Sequence, residues 1–301
     1  MSYRELIAAA TGQAAFPQVS PEVKLLDGPD GLTFPVLFSR DRMNRPFRDY
    51  PVYTRVDCPL CRRVETGGAL LSLVSGMAWL PATYPIKSFH AICYPSEHRS
   101  AILPEDILST GCLVDRAGDA VAGLNVRGSA ASIPEHSHTQ IHDFSLPGDV
   151  SHAFPLLTRE VEVIGKEGGL SLCRVLAYPA YVLVVIGAWE LVARFLSLYL
   201  AAANQRPHNF AIAPGGKLYV IPRGMERAPG QENRFGASEM LGLITPVTVT
   251  AYESIRSSDA VCEALRVCGL TEGRDKTATE EHAAWVCANL RRACGVPHAG
   301  A

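Results

Sequence analysis

The segment "SIPEHSHTQIHDF", residues 132–144, holds three of the nine histidines of the chain, His136, His138 and His142, with Gln140 between the last two. Alternate side chains of a β-strand project to one face. If 132–144 is a strand, His136, His138 and Gln140 form a row of polar groups on that face. Next-but-one side chains stand about 6.5–7 Å apart. That spacing is too wide for one metal ion to use all three, but it can line one phosphate-sized site. His142, and His90 upstream, read as structural.

A second motif lies upstream. "VDCPLCRR" places Cys58 and Cys61 in a C-x-x-C spacing, in which two thiolates reach one zinc ion. The other seven cysteines are scattered singly, which suits thiols in a reducing compartment and a cytoplasmic protein. A tetrahedral site needs two more ligands, and His98 in "CYPSEHRS" and His136 are suitable. Such a Cys2His2 site has no open position. Zn2+ there would be structural, clamping the N-terminal loop onto the sheet. No organic cofactor is expected.

His138 is then left for chemistry. A neutral imidazole with one nitrogen held by a hydrogen bond can attack an α-phosphorus. Gln140 can donate its amide to the phosphate oxygens as charge develops there. The small residues of "NVRGSAAS" would let a phosphate approach the backbone, with Asn125, Ser129 and Ser132 as side-chain donors. Lys217, Tyr219 and Arg223 of "GGKLYVIPR", and Arg42 and Arg45 of the N-terminal loop, are further candidates for holding a phosphate or an acceptor. Trp79 and Phe89 could flank a base, although aromatics in such runs more often belong to the core.

The chain has 301 residues, a net charge of −2, 48% hydrophobic and 19% charged residues. This is a globular composition with no electrostatic reason to expect nucleic acid and no polybasic run for a membrane surface. "MSYRELIAAATGQAAF" does not read as a signal peptide. The most apolar stretch, residues 175–203, is broken by Pro179 and Gly187 and charged by Glu190 and Arg194. It reads as a buried strand (Tyr181 to Ile186) leading into an amphipathic helix (Trp189 to Ala203), not as a membrane span.

Short apolar runs in 69–95, "LTFPVLF", "RVLAYPAYVLVVI" and "SEMLGLITPVTVTAYESI" predict strands, and "HNFAIAPGGKLYVIPR" predicts a hairpin turning at "PGG". "LPEDILSTGCLVDRAGDAVAG" has a helical period, and the tail from about 255 to 296 is helix-rich. The organisation expected is an N-terminal arm and loop (1–57), a catalytic half with the Cys pair (58–150), a second, degenerate half (151–260) and a C-terminal helical tail (261–301).

"HSHTQ" resembles the H-x-H-x-Q signature of the transferase branch of the histidine-triad superfamily. That branch includes galactose-1-phosphate uridylyltransferases, diadenosine tetraphosphate phosphorylases and GDP-hexose phosphorylases. "RPFRDYP…CPLC" and "ATYPIKSFHAICYPSEHRSAILPEDI" are similar to the uridylyltransferase segments before the active strand. "LCRVLAYPAYVLVV", "HNFAIAPGGKLYVIPRGMERA" and "SEMLGLITPVTVTAYESI" are similar to the C-terminal half of plant-type GDP-L-galactose phosphorylases. The resemblance covers about residues 35–260.

It implies an α+β, HIT-like fold of two related antiparallel-sheet-plus-helix halves forming one continuous unit. It implies a covalent nucleotidyl-His138, Gln140 as its stabilising donor, His98 and His136 as zinc ligands, and Asn125 at a phosphate-contacting position. The serine that the uridylyltransferases carry three residues before the first histidine is Ile133 here, so Ser132 or Ser129 would have to serve. Uridine specificity does not transfer.

The resulting expectation is a nucleotidyltransferase or phosphorylase acting by double displacement on a nucleoside diphosphate sugar, the GDP-hexose type favoured. It would exchange phosphate or sugar 1-phosphate. The alternatives are a dinucleoside polyphosphate phosphorylase or hydrolase, and a non-catalytic zinc-stabilised nucleotide-binding module. Gln140 speaks against hydrolysis as the main activity, because an amide cannot protonate a leaving group. The expected partners are small molecules, with a homodimer admitted and neither nucleic acid nor membrane expected.

Overall fold

The computed structural model describes residues 1–11, 16–44, 52–66, 77–146, 153–202, 207–232, 234–271 and 276–295. The first part of the chain forms α1 (Tyr3–Thr11), β1 (Glu22–Asp27), β2 (Thr33–Phe38), α2 (Pro59–Glu65), β3 (Met77–Pro81), β4 (Ala91–Pro95), α3 (Pro104–Ala117), β5 (Ala120–Asn125) and β6 (Thr139–Asp143). The second part forms β7 (Val161–Glu167), β8 (Leu170–Val175), β9 (Leu183–Ile186), α4 (Trp189–Ala202), β10 (His208–Ala213), β11 (Lys217–Pro222), α5 (Ala237–Met240), α6 (Val249–Ser254), α7 (Ser258–Cys268) and α8 (Lys276–Ala293).

Nine strands form one sheet in the order β3-β4-β6-β5-β10-β11-β9-β8-β7, and every adjacent pair is antiparallel. The β5–β10 pairing, with Asn125 opposite Asn209, joins the two parts into a continuous sheet. The fold is therefore the α+β, HIT-like arrangement expected.

Alternation divides the sheet into two faces. One carries Trp79, Ala91, Ile141, Leu124, Phe210 and Val220 against the apolar stripes of α3, α4 and α8. The other holds a second core under β1, β2 and α7, including Val121, Ala211, Ile221, Phe235 and Leu265. A smaller cluster of Leu60, Cys58, Cys61, Leu80 and Tyr94 seats α2 on this second face. Trp79 and Phe89, considered for flanking a base, instead pack with the first core. Trp79 is 1% exposed, 5.8 Å from the Tyr3 ring, and Phe89 stacks on Phe16 at 6.1 Å.

Several elements differ from the sequence expectation. The strand over 132–144 is only Thr139–Asp143, because Pro134 has no N–H to donate and the chain turns there, His136 N donating to Ile133 O at 3.2 Å. The helix expected through 123 stops at Gly118, which takes a left-handed φ of 71°, and residues 120–125 become β5. The apolar run 174–186 is split between two strands, β8 and β9, separated around Pro179. "SEMLGLITPVTVTAYESI" is not a strand. It forms α5 and α6, and Thr248 caps α6 by accepting from Ala251 N at 3.1 Å.

Candidate active site

The Cys pair opens α2. Cys58 is its N-cap residue, Pro59 follows at the first helical position, and Cys61 faces inward one turn on. His98 follows β4, and His136 sits in the turn before β6. The four ligand atoms of Cys58, Cys61, His98 and His136 lie within 4.8 Å of one another. Cys61 Sγ is 3.3 Å from His98 Nδ1 and 3.5 Å from His136 Nδ1, and Cys58 Sγ is 3.4 Å from His136 Nδ1.

His136 Nε2 lies 2.8 Å from Pro95 O. A carbonyl only accepts, so Nε2 carries the proton and Nδ1 presents its lone pair to the cluster. Burial pushes the Cys61 thiol up to about 11, with Cys58 adding to the effect, and pulls His136 down to about 4. A divalent cation reverses the thiol shift by stabilising both thiolates. The donor set and its enclosure therefore fit a four-coordinate metal ion.

His138 leads directly into β6. Its Nδ1 donates to the backbone oxygen of His136 at 2.9 Å, so Nε2 holds the lone pair. The same residue that belongs to the tetrad thus orients this imidazole through its main chain. His138 and Gln140 line a cavity of about 480 Å3 on the second face of the sheet. Gln140 pairs with Ile92 on one side and Gly123 on the other. A Cβ at 123 would come within 2.9 Å of Ala237 Cβ, so glycine lets the 236–239 segment close over the sheet beside Gln140.

Apolar residues lining the cavity include Tyr53, Leu60, Ala82, Tyr84, Ile92 and Ile133. Polar residues lining it include Asn125, Ser132, Arg42, Arg227, Arg234 and Ser238. Arg42 is buried and donates to Thr245 O at 3.4 Å. Arg234 lies 3.8 Å from Glu226.

The cavity thus brings together His138, Gln140, Asn125, Ser132 and Arg42 from the sequence reading. It does not include four others. Ser129 is buried in its own turn, donating to Val126 O at 2.7 Å. Tyr219 is 3% exposed in the second core. Lys217 pairs with Ala213, at the other end of β10 from Asn209 and away from the cavity.

Arg223 is 6% exposed and spends its guanidinium inside the protein. It donates to Cys268 O at 2.8 Å, to Met225 O at 2.6 Å, and to Phe235 O and Asn209 Oδ1. The backbone N–H of Ala130, in the small-residue loop, donates to Glu226 Oε1 at 2.9 Å. Arg45 lies outside the described residues.

His142 is buried beneath the cavity. Its ring centroid is 4.1 Å from that of His90, and its Nε2 is 3.4 Å from Ser238 Oγ. Burial holds its pKa well below the usual histidine range, with the charges of Lys87 and Arg42 acting the same way. It is neutral at pH 7 and packs as a structural ring. The sequence reading missed Arg63, Arg227 and Arg234, which line the cavity. The arginine density of residues 223–234 was the signal available for two of them.

A continuous antiparallel sheet thus carries H-x-H-x-Q into a central strand, beside a Cys2His2 cluster. Among solved structures the chain is similar to yeast Ap4A phosphorylase Apa2, at 15% identity over 89% of this chain and 96% of that one, with a TM-score of 0.60. The same enzyme in complex with Ap4A matches at 15% identity, over 89% and 96%, with a TM-score of 0.63. In complex with AMP it matches at 17% identity, over 90% and 97%, with a TM-score of 0.57. The resemblance drawn from the motifs is borne out in the fold. No family model and no curated protein matches the chain. Among the described residues, no helix is long and apolar enough to cross a membrane.

Proposed function

We propose that this protein is a nucleotidyl phosphorylase working by double displacement through His138. The observation that carries the reading is the contact of His138 Nδ1 with the backbone oxygen of His136, which sets its tautomer. Nδ1–H is committed to a backbone carbonyl, and the ring lines a cavity beside Gln140. The Nε2 lone pair attacks the α-phosphorus of a nucleotide anhydride. The bond to the bridging oxygen breaks, and the leaving group departs as a phosphate or sugar 1-phosphate anion. A phosphate oxyanion then attacks the same phosphorus, the P–N bond breaks, and neutral His138 returns.

In the intermediate the imidazole is cationic, and its Nδ1–H bond to His136 O strengthens accordingly. Gln140 donates to the non-bridging oxygens, and the leaving group needs no proton. Such transfer is governed by positioning and charge stabilisation.

Zinc is the ion that the Cys2His2 set suits, held by Cys58, Cys61, His98 and His136 as a closed structural site. Its role here is to fix the turn whose carbonyl orients His138. In this reading, 58–150 supplies the nucleophile and metal ligands, and 151–260 contributes Arg227, Arg234 and Ser238 to the lining of the cavity.

The donor we favour is a nucleoside diphosphate sugar of the GDP-hexose type, on the similarity of the C-terminal segments. The second reading is a dinucleoside polyphosphate, which the fold shared with a protein crystallised with Ap4A and AMP supports. The test uses both donor classes, labelled at the α-phosphate, with and without phosphate. Wild type should acquire acid-labile covalent label and release nucleoside diphosphate only when phosphate is present. His138→Ala should do neither. Full activity in that variant overturns the mechanism, and phosphate-independent turnover would make it a hydrolase.

A further inference from the structure

We propose that Arg223 and Asn209 are positioning residues that lock the side-chain amide of Asn125, so that it offers an N–H donor rather than a carbonyl oxygen to the nucleotide. This rests on the nucleotidyl-transfer reading and adds a determinant of anion recognition to it.

The three residues form a relay across neighbouring strands. Asn125 ends β5, Asn209 faces it from β10, and Arg223 follows β11. The polarity of each link is fixed by what the partner can do. A guanidinium only donates, so the atom of Asn209 that meets Arg223 must be Oδ1. Asn209 Nδ2 therefore points the other way, and the structure finds it 2.9 Å from Ser129 O, an acceptor only. The same Nδ2 donates to Asn125 Oδ1 at 2.6 Å. The backbone N–H of Ala237 donates to that oxygen as well, at 2.7 Å. Two donors converge on Asn125 Oδ1, so the group left to face the cavity is Nδ2 with its two hydrogens.

Position 236 keeps that donor open. A Cβ there would lie 3.1 Å from Asn125 Nδ2, and the residue is glycine. Gly236 is held in turn, its N–H donating to Glu239 Oε2 at 2.9 Å.

An unconstrained asparagine could turn its oxygen toward a phosphate, and that orientation repels the anion. The relay removes the choice. It also accounts for Arg223, a buried cation whose acceptors are three backbone carbonyls and one amide. Those carbonyls belong to residues 225, 235 and 268. Arg223 thereby ties residues 225 and 235, which flank the cavity-lining Arg227 and Arg234, to the same orientation that it imposes on Asn209.

Asn209→Asp tests the relay. The carboxylate keeps a partner for Arg223 but presents an acceptor to Asn125. The Asn125 amide must then turn, giving Nδ2 to the new carboxylate and aiming Oδ1 at the ligand. Calorimetry with ADP, GDP and UDP identifies the best-bound diphosphate for wild type, and that nucleotide is the probe for all variants. Asn209→Asp should weaken its binding about tenfold or more, the scale of losing one hydrogen bond to a charged group. In an Asn125→Ala background the same substitution should change binding less than about twofold, because nothing remains to be turned.

Asn209→Ala, which frees the amide without adding charge, should show a smaller weakening with the same dependence on Asn125. It keeps the test decisive if the aspartate variant does not fold. Equal weakening in both backgrounds, or none in either, overturns the relay while leaving the nucleotidyl-transfer reading standing. Failure of wild type to bind any of the three nucleotides overturns both.

Discussion

Asp143→Asn is the substitution with the most to say about what holds β6 in place. Asp143 ends the strand that begins next to His138 and carries Gln140. Its carboxylate is 2% exposed and meets the Lys87 ammonium, itself 4% exposed. Arg4 Nε reaches it from α1 at 2.7 Å, and Ser145 also donates to it. Lys87 donates further to the backbone oxygens of Asp143 and Ser145. The cluster joins α1, the segment before β4 and the end of β6 behind the cavity.

The substitution keeps the shape and removes the charge, leaving Lys87 buried against neutral oxygens. Breaking a buried pair at one partner costs about 3–5 kcal/mol, and the retained carbonyls place this case near 3. For a chain of this length that is roughly 5 °C in Tm.

The pH dependence follows from the same contacts. Burial pushes the Asp143 carboxyl up, but Lys87, Ser145 and Arg4 outweigh it and hold the pKa below the ordinary aspartate value. The folded pKa is depressed, so its contribution is complete above about pH 4 and lost as pH falls through the folded value. Urea titrations of wild type and variant from pH 7 to pH 3 should therefore show the deficit shrinking at the acid end. The double variant Lys87→Met/Asp143→Asn should recover at least half of it, since no uncompensated buried charge remains; Arg4 is half-exposed and stays solvated. A deficit below about 1 kcal/mol at pH 7, or a double variant less stable than the single one, would refute the reasoning.

Two other variants test the site directly. His136→Ala should lower bound zinc, measured by atomic emission, and lower Tm together, because it removes a ligand and the anchor of the turn before His138. Unchanged zinc content would remove His136 from the ligand set. Lys217→Ala should leave KM for donor and phosphate within about twofold of wild type, since the side chain lies away from the cavity. A tenfold rise would return Lys217 to substrate binding.

The legible part of the site was the part written in short spacings. C-x-x-C and H-x-H-x-Q place the proposed metal ligands and the proposed nucleophile within a few residues, and such chemistry depends on local geometry. The same segment also misled: its alternation suggested a strand across 132–144, whereas the turn at Pro134 puts His136 in a loop facing the Cys pair. Alternation could not distinguish a face of one strand from a strand preceded by a turn. The apolar run at 238–255 failed for a related reason, since short runs suit a strand and a buried helix alike. There a side-chain cap from Thr248 decided the matter.

What the sequence by itself determined was the class of fold, the metal-ligand set it could offer, and the pairing of an imidazole with an amide that suits transfer to phosphate. Only the tertiary structure decided which polar residues face the cavity. Arg223 stands in a strand-end motif that reads equally well as a phosphate contact. It turns inward because the carbonyls of residues 225, 235 and 268 and the amide of Asn209 converge on it. Those partners come from four separate places in the chain. A charged side chain goes where its hydrogen bonds can all be met, and that depends on what the fold brings together, which spacing along one strand does not record.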